Sequence, residues 1–325
     1  MTTTEKADES GKAEMTGSGE TVTAAGTARS AEKTTLRSPL GILTTATASH
    51  DTGRDGDIVL PRLPGFVESA FSPLAYEVAA RCLTERPGDG GRTAVALASL
   101  MGDTTTADLA SRRVVSGRVH NPLLFMQATA NSVLGHMSRE FGITGQMFSL
   151  STLDDPVTEL LAMADLLLED PELDRVLVVG VELGGGERLA AAYRELSAER
   201  GLPVPDLPET AGLAVAVLLG RPDTGAPVTI RSTETTATAE TYEPTAPADT
   251  YEPTAPTAAY DGDRPTPPAT HPGSVQGLFD LAAAHRRLLR DGGSHVLVTA
   301  PRTPAFLLTA ERPPERNETE THAHQ

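Results

Sequence analysis

The sequence predicts an α/β fold in which strands covered on both faces alternate with helices. Two observations carry this. Arg92–Ser99, Val176–Val181 and Ala211–Leu219 are short, nearly continuous apolar runs, the mark of strands with no solvent face. From His120 to Val181 the pattern passes from a helix to a short strand, a polar elbow, a second helix and a second strand.

Taken in order, residues 1–35 hold Thr, Ala, Ser, Gly, Glu and Lys without periodicity. Such a segment buries too little apolar surface to offset its ordering entropy, so a disordered tail is expected. Leu36–Ala48 reads as a first strand, followed by a polar loop. Ser72–Leu83 reads as an amphipathic helix, with Pro73 suited to its first turn. Cys82, the only cysteine, lies mid-helix in A-A-R-C-L and reads as a buried structural thiol. One cysteine excludes an intrachain disulfide and a cysteine zinc site. Gly102–Gly117 reads as a loop with a helical turn, carrying Arg112, Arg113 and, just beyond it, Arg118.

After Asn121 and Pro122, a helix pattern runs from about Leu123 to Ser138. Ala128, Ser132 and Gly135 share one face, where small side chains let another backbone approach. Phe125, Thr129 and Val133 recur every four residues on a neighbouring face. Met147–Ser151 alternates and is short, so it reads as a strand. The elbow follows as S-T-L-D-D-P, Ser151 to Pro156. Pro156 fits the first turn of a helix, and Asp154 or Asp155 is its N-cap. Val157, Leu160, Leu161, Ala164, Leu167 and Leu168 form that helix's buried stripe, and Pro171 ends it.

Gly184–Gly186 has the wrong spacing for a dinucleotide fingerprint and reads as a turn into a helix over Arg188–Glu199. Pro203–Pro208 reads as an extended connection. Residues 232–272 contain T-Y-E-P-T-A-P twice, at Thr241–Pro247 and Thr250–Pro256. Their Pro, Thr and Glu favour an extended, disordered linker. Ser274–Leu289 then reads as a helix, with strands at His295–Thr299 and Ala305–Thr309. Residues 311–325 are a polar tail, and its His322 and His324 are too few to define a metal site.

Composition narrows the function classes. The net charge is −17 over 325 residues, which excludes a phosphate-bearing nucleic acid as the natural partner. The first residues lack the apolar core of a signal peptide, and no apolar run approaches the roughly 20 residues of a membrane span. A cytoplasmic protein is expected.

The ordered set N-P-x-x-F, N-x-x-x-G, G-x-x-G, strand, elbow, helix and V-L-V-V-G resembles the N-terminal half of the β-ketoacyl synthases. Asn121, Pro122, Phe125, Asn131, Gly135, Gly142, Gly145 and Thr152 match that pattern. L-P-R-L-P-G-F upstream and E-T-A-G-L-A-V-A-V-L-L downstream extend the resemblance from about residue 36 to 230. It implies a thiolase-like layered fold. The expected division is a tail at 1–35, a ketosynthase N-terminal-like domain at 36–231 and a linker at 232–272. A short helix and hairpin at 273–310 would complete the domain, before the tail at 311–325.

The resemblance also implies a function. Its nearest form is the short, non-catalytic chain-length-factor type, whose members pair with an active ketosynthase in polyketide, aryl-polyene or fatty-acid-type biosynthesis. The family's nucleophilic cysteine falls on Asp154, beside Thr152 and Asp155. A carboxylate there is a poor substitute, since an acyl-aspartate is a mixed anhydride. His271 has the spacing of a family histidine but lacks the preceding glycine, and is read as coincidental. Asn121, Pro122, Phe125, Ala128, Thr129, Asn131, Ser132, Val133 and Gly135 are the expected tunnel or dimer-interface residues. An ordinary core helix is the competing reading of that stretch.

No cofactor and no metal are expected. The partners expected are a catalytic ketosynthase in a heterodimer and, indirectly, an acyl carrier protein. Arg112, Arg113 and Arg118 are either a carrier contact or a solvated helix face. The alternative function is a thiolase-fold acyltransferase or decarboxylase using Asp154 or a nearby serine, Ser149 or Ser151, with His120 and His136 as unplaced candidate bases. A relic fold kept only for protein contact is the third.

Overall fold

One sheet takes in strands from both ends of the chain. The computed structural model describes residues 36–117, 122–151, 155–200, 207–236, 273–299 and 304–310. The strands are β1 (Leu40–His50), β2 (Thr93–Ala98), β3 (Met147–Leu150), β4 (Arg175–Leu183), β5 (Gly212–Gly220), β6 (Val228–Thr236), β7 (Gly293–Leu297) and β8 (Pro304–Ala310). Their order across the sheet is β3-β2-β4-β5-β1-β6-β8-β7. β2 is parallel to β3 and β4, whereas β5 is antiparallel to both β4 and β1. β1, β2, β3 and β4 therefore all point the same way.

Helices cover both faces. They are α1 (Phe71–Glu85), α2 (Thr104–Val115), α3 (Pro122–Gln127), α4 (Ala130–Phe141), α5 (Pro156–Leu167), α6 (Glu187–Arg200) and α7 (Gln276–Asp291). Every residue of β2, β4 and β5 is buried, as their unbroken apolar runs require. Val95, Leu97, Leu177 and Val179 pack with α1 and α4. Ala94, Ala96, Val176 and Val178 pack with α5 and α7 on the opposite face. The whole stripe expected for the helix after the elbow, from Val157 to Leu168, lies in this second core.

β1 reaches both cores by changing face midway. Leu40 and Ile42 join the α5/α7 core, while Ala46 and Ala48 join the α1/α4 core. Strict alternation would keep all four on one side. Ile42 pairs with Leu219 but Thr44 pairs with Leu218, so Leu43 is an extra residue in β1. That bulge flips the strand.

The C-terminal piece adds to the same sheet. β7 and β8 form an antiparallel pair that β8 joins to β6. Leu278, Leu281, Ala282 and Leu288 of α7 share a core with Leu297, Phe306 and Leu308. The first strand begins at Leu40, later than expected.

Three expectations need correction. Residues 102–117 hold a full helix, α2, whose N-cap Asp103 accepts from Thr106 N at 3.0 Å and from Thr106 Oγ1 at 2.7 Å. The helix expected over 123–138 is two helices. Thr129 is extended (ψ 133°) and starts α4, its Oγ1 donating to Met126 C=O at 2.8 Å. Ser132 Oγ donates to the same carbonyl. Hydroxyls that compete for backbone carbonyls break helices this way. β6 was not anticipated, and it runs to Thr236, past the boundary expected at 231. Residues 1–35, the two T-Y-E-P-T-A-P copies and the tail 311–325 lie outside the described residues.

Glycines from the matched pattern have physical reasons. Gly142 ends α4 in the left-handed region (φ 64°). A Cβ on Gly145 would stand 2.3 Å from the Thr93 carbonyl oxygen, where β2 and β3 begin to pair. A Cβ on Gly135 meets nothing within 4 Å. Gly145→Ala is therefore expected to cost about 2 kcal/mol or more, since backbone must move. Gly135→Ala should gain up to about 1 kcal/mol from helix propensity alone. Denaturant unfolding of the two variants checks the contrast.

His285 of α7 is buried, with Nδ1 3.2 Å from Thr45 Oγ1 and no partner on Nε2. Burial, then the charges of Arg286 and Arg86, lower its pKa to about 4 from 6.5. Between those values the unfolded chain binds the proton and the folded chain does not, so this residue erodes stability as pH falls from 6.5 to 4. The loss amounts to about 3 kcal/mol at most. His285→Met should flatten that part of the stability–pH curve, and an unchanged slope would refute the assignment.

Candidate functional site at the sheet edge

The C-terminal ends of β1 to β4 lie along one edge, where the loops that follow them converge. In sheets with parallel strands this edge collects chemistry. The elbow leaves it after β3. Ser151 Oγ donates to Leu100 C=O at 2.6 Å, and Leu100 N donates to Glu182 Oε1 at 2.9 Å. Asp155 settles the open choice of N-cap: it precedes Pro156 and accepts from Thr158 N at 3.3 Å and Thr158 Oγ1 at 2.6 Å. Thr299, just past β7, donates a third hydrogen bond to this carboxylate, its Oγ1 2.7 Å from Asp155 Oδ2.

Glu182 is the centre of this edge and was missed in the sequence. It is 1% exposed. Besides Leu100 N, it accepts from Ser274 Oγ at 2.6 Å and from Tyr193 OH at 2.6 Å. It thus joins the end of β2, α6 and the turn Gly273–Val275 before α7. Burial raises its pKa, opposed by the donors from Ser274, Tyr193 and Leu100. Burial, then the neighbouring carboxyl, raises that of Tyr193. Asp103 is also buried, which raises its carboxyl while Thr106 and Ser69 pull it down. The available signal was an acid inside an apolar run, V-V-G-V-E-L, since such a group is kept only with partners.

The expected site residues divide sharply. Thr152 and Asp154 lie outside the described residues, as do Asn121, Arg118, His120, His271, His322 and His324. Pro122 opens α3. Phe125 and Thr129 are exposed, and Ala128 is half-buried. Val133, by contrast, is fully buried against α1 and the sheet. Phe125, Thr129 and Val133 therefore form no common face, because the break at Thr129 turns α4 away from α3. Asn131 and Gly135 are exposed and Ser132 is half-buried, so α4 offers small side chains outward.

Other candidates have ordinary roles. His136 stacks edge-on with Tyr76 and Phe66 and lies 3.3 Å from Arg139. The Ser151 hydroxyl is committed to Leu100. Gly184 is required by packing, since a Cβ would meet the Pro208 carbonyl oxygen at 1.7 Å. Arg113 lies 3.6 Å from Glu68. Among the described residues no cluster of His, Cys, Asp and Glu has the makings of a metal site, and no helix is long and apolar enough to cross a membrane.

No family model matches the sequence, and no curated protein matches it. In structure, the chain is similar to the AntDE:AntF complex, a type II PKS acyl-carrier protein with its ketosynthase bound to the hexaketide. The TM-score is 0.52 at 13% identity, over 85% of this chain and 100% of that one. The chain has the thiolase-like layered fold of the ketosynthases. Two further similar structures are the ketosynthase ApeO in complex with its chain length factor ApeC from Xenorhabdus doucetiae and the ishigamide ketosynthase/chain length factor. Their TM-scores are 0.48 and 0.42, at 18% and 16% identity. The first covers 80% of this chain and 86% of that one, the second 60% and 67%.

The single thiol lies in the core on the other face of the sheet from α5, the helix that follows the elbow. Cys82 sits in α1 with no exposed surface, its Sγ 3.8 Å from Ala216 C=O. Burial, then the charge of Glu85, pushes its pKa up to about 12. Since the thiolate is the reactive form, a disulfide reagent at pH 8 should leave the native protein unlabelled. One equivalent should react once the chain is unfolded. Rapid labelling of native protein would contradict this placement.

Proposed function

We propose that this chain is a non-catalytic, chain-length-factor-like subunit that pairs with an active β-ketoacyl synthase. The single observation carrying the proposal is the disposition of sulfur: the only cysteine is buried in α1 on the face of the sheet opposite α5, while by the sequence resemblance the family's nucleophile falls on Asp154. Decarboxylative condensation needs a thiolate to hold the acyl chain. A chain of this fold without one is best suited to work beside a subunit that has one.

Further features support pairing. α3 exposes Leu123, Phe125 and Met126, and α4 turns Asn131 and Gly135 outward. Among the described residues β3 is an edge strand, hydrogen-bonded to β2 alone. Such edges are normally covered or paired. Any acyl tunnel then lies between the two subunits, with Phe125 and Thr129 on its wall, and Val133 serves the core. Carrier docking falls mainly to the partner, because this chain's net charge of −17 repels an acidic carrier.

The test is reconstitution with a catalytic ketosynthase, its acyl carrier and malonyl donor. This chain alone should show no turnover. Added to the ketosynthase it should set product length, Thr129→Trp should shift products shorter, and Asp154→Ala should leave output within about two-fold. Turnover by this chain alone that vanishes in Asp154→Ala would replace the proposal with a thiolase-fold acyltransferase or decarboxylase.

A further inference from the structure

The arrangement of strands in the sheet repeats. β4 is antiparallel to β5 and β5 to β1, with α5 leading into β4. β7 is likewise antiparallel to β8 and β8 to β6, with α7 leading into β7. α5 and α7 pack together in one core. The two halves of the repeat differ at one place. The far side of β4 is paired with β2, which runs parallel to it. The far side of β7 has no strand among the described residues. Val296, on β7, is 54% exposed. Bare strand edges are normally paired or covered.

The rim of this edge is basic, against the charge of the whole chain. α7 packs along β7, and its last turns carry Arg286, Arg287 and Arg290 against Asp291. Arg287 Nη2 meets His295 Nδ1 of β7. Burial, then the charge of Arg290, lowers the pKa of Arg286, so positive charge is crowded here. None of the three arginines has an ion pair among the described residues. A second copy of the chain is a poor occupant of the edge. Two β7 edges joined about a two-fold axis bring these arginines against themselves, and chains of net charge −17 repel.

The sequence supplies a segment that fits. β8 ends at Ala310, which pairs with Gly293, the first residue of β7. The chain thus leaves β8 at the end where a strand parallel to β7 begins. Residues 311–316, fully extended, reach about 20 Å. Passing β7 takes two strand spacings, about 10 Å. Pro313 and Pro314 fall in that crossing, where no ladder N–H is needed. Asn317–His322 then reads N-E-T-E-T-H, which alternates and lacks proline. As a strand it carries Glu318 and Glu320 on one face and Asn317, Thr319 and Thr321 on the other. Residues 311–325 hold four glutamates against two arginines. We propose that residues 317–322 add a strand to the outer edge of β7, parallel to it, with Glu318 and Glu320 on the side of the α7 arginines. The added strand closes the backbone ladder at this end of the sheet and denies it to other chains. It is independent of pairing with a ketosynthase.

Amide hydrogen exchange of the full chain tests this. Slow exchange is expected over 317–322 and at the alternate amides of β7 that face outward. Thr319→Pro removes a donor from the added strand and should speed both at least about ten-fold, with β4 unchanged. Glu318→Lys combined with Glu320→Lys should speed both at low salt, by a factor that shrinks at about 0.5 M salt. Exchange over 317–322 as fast as in unfolded chain, or β7 amides indifferent to Thr319→Pro, overturns the proposal. Protection of β7 that rises with protein concentration, together with a dimer in sedimentation, overturns it in favour of a second copy on this edge.

Discussion

Glu182 has almost no contact with water, and the C-terminal edge of the sheet is tied together through it. A buried carboxyl is costly unless its lone pairs are met by donors. Leu100 N, Ser274 Oγ and Tyr193 OH meet them, and each comes from a different part of the chain. Leu100 in turn holds Ser151 at the root of the elbow. The C-terminal piece is therefore tied to the elbow twice, through Ser274 to Glu182 and through Thr299 to Asp155. Removing one partner from such a network leaves others unpaired, at about 1–3 kcal/mol each.

Much of this fold was legible in the sequence because burial on both faces writes a strong signal. β2, β4 and β5 are apolar without interruption, and the α5 stripe follows helical spacing residue by residue. Local chemistry fixed other points, such as the Asp155–Pro156 cap. Where hydroxyls intervene, the signal weakened. Thr129 and Ser132 satisfy a carbonyl with side chains and split one helical pattern in two. β6 was obscured by its Thr content, although Val228 and Ile230 alternate inward with Thr229 and Arg231. The bulge at Leu43 leaves no mark in composition, because only pairing with β5 reveals it.

The site was less legible than the fold. Its centre, Glu182, is defined by partners 82, 11 and 92 residues away, which no local pattern encodes. The helical face expected from Phe125 to Val133 was misdrawn for a related reason. A four-residue repeat from Phe125 to Val133 assumes one unbroken helix, and a single extended residue sends Phe125 outward and Val133 inward.

These facts give one consistent picture. Ser151, Glu182 and Asp155 at the edge are hydrogen-bonded, the only thiol is buried on α1, and several exposed apolar side chains lie on α2 and α3. Under the proposed pairing, a chain of this fold would contribute shape and contact, and its partner the sulfur. The most direct measurement is intact-protein mass spectrometry of the mixed subunits after brief exposure to an acyl-carrier thioester. The account predicts the acyl mass on the ketosynthase subunit alone, with this chain's mass unchanged. An acyl adduct on this chain, at Asp154, a serine or Cys82, would contradict it.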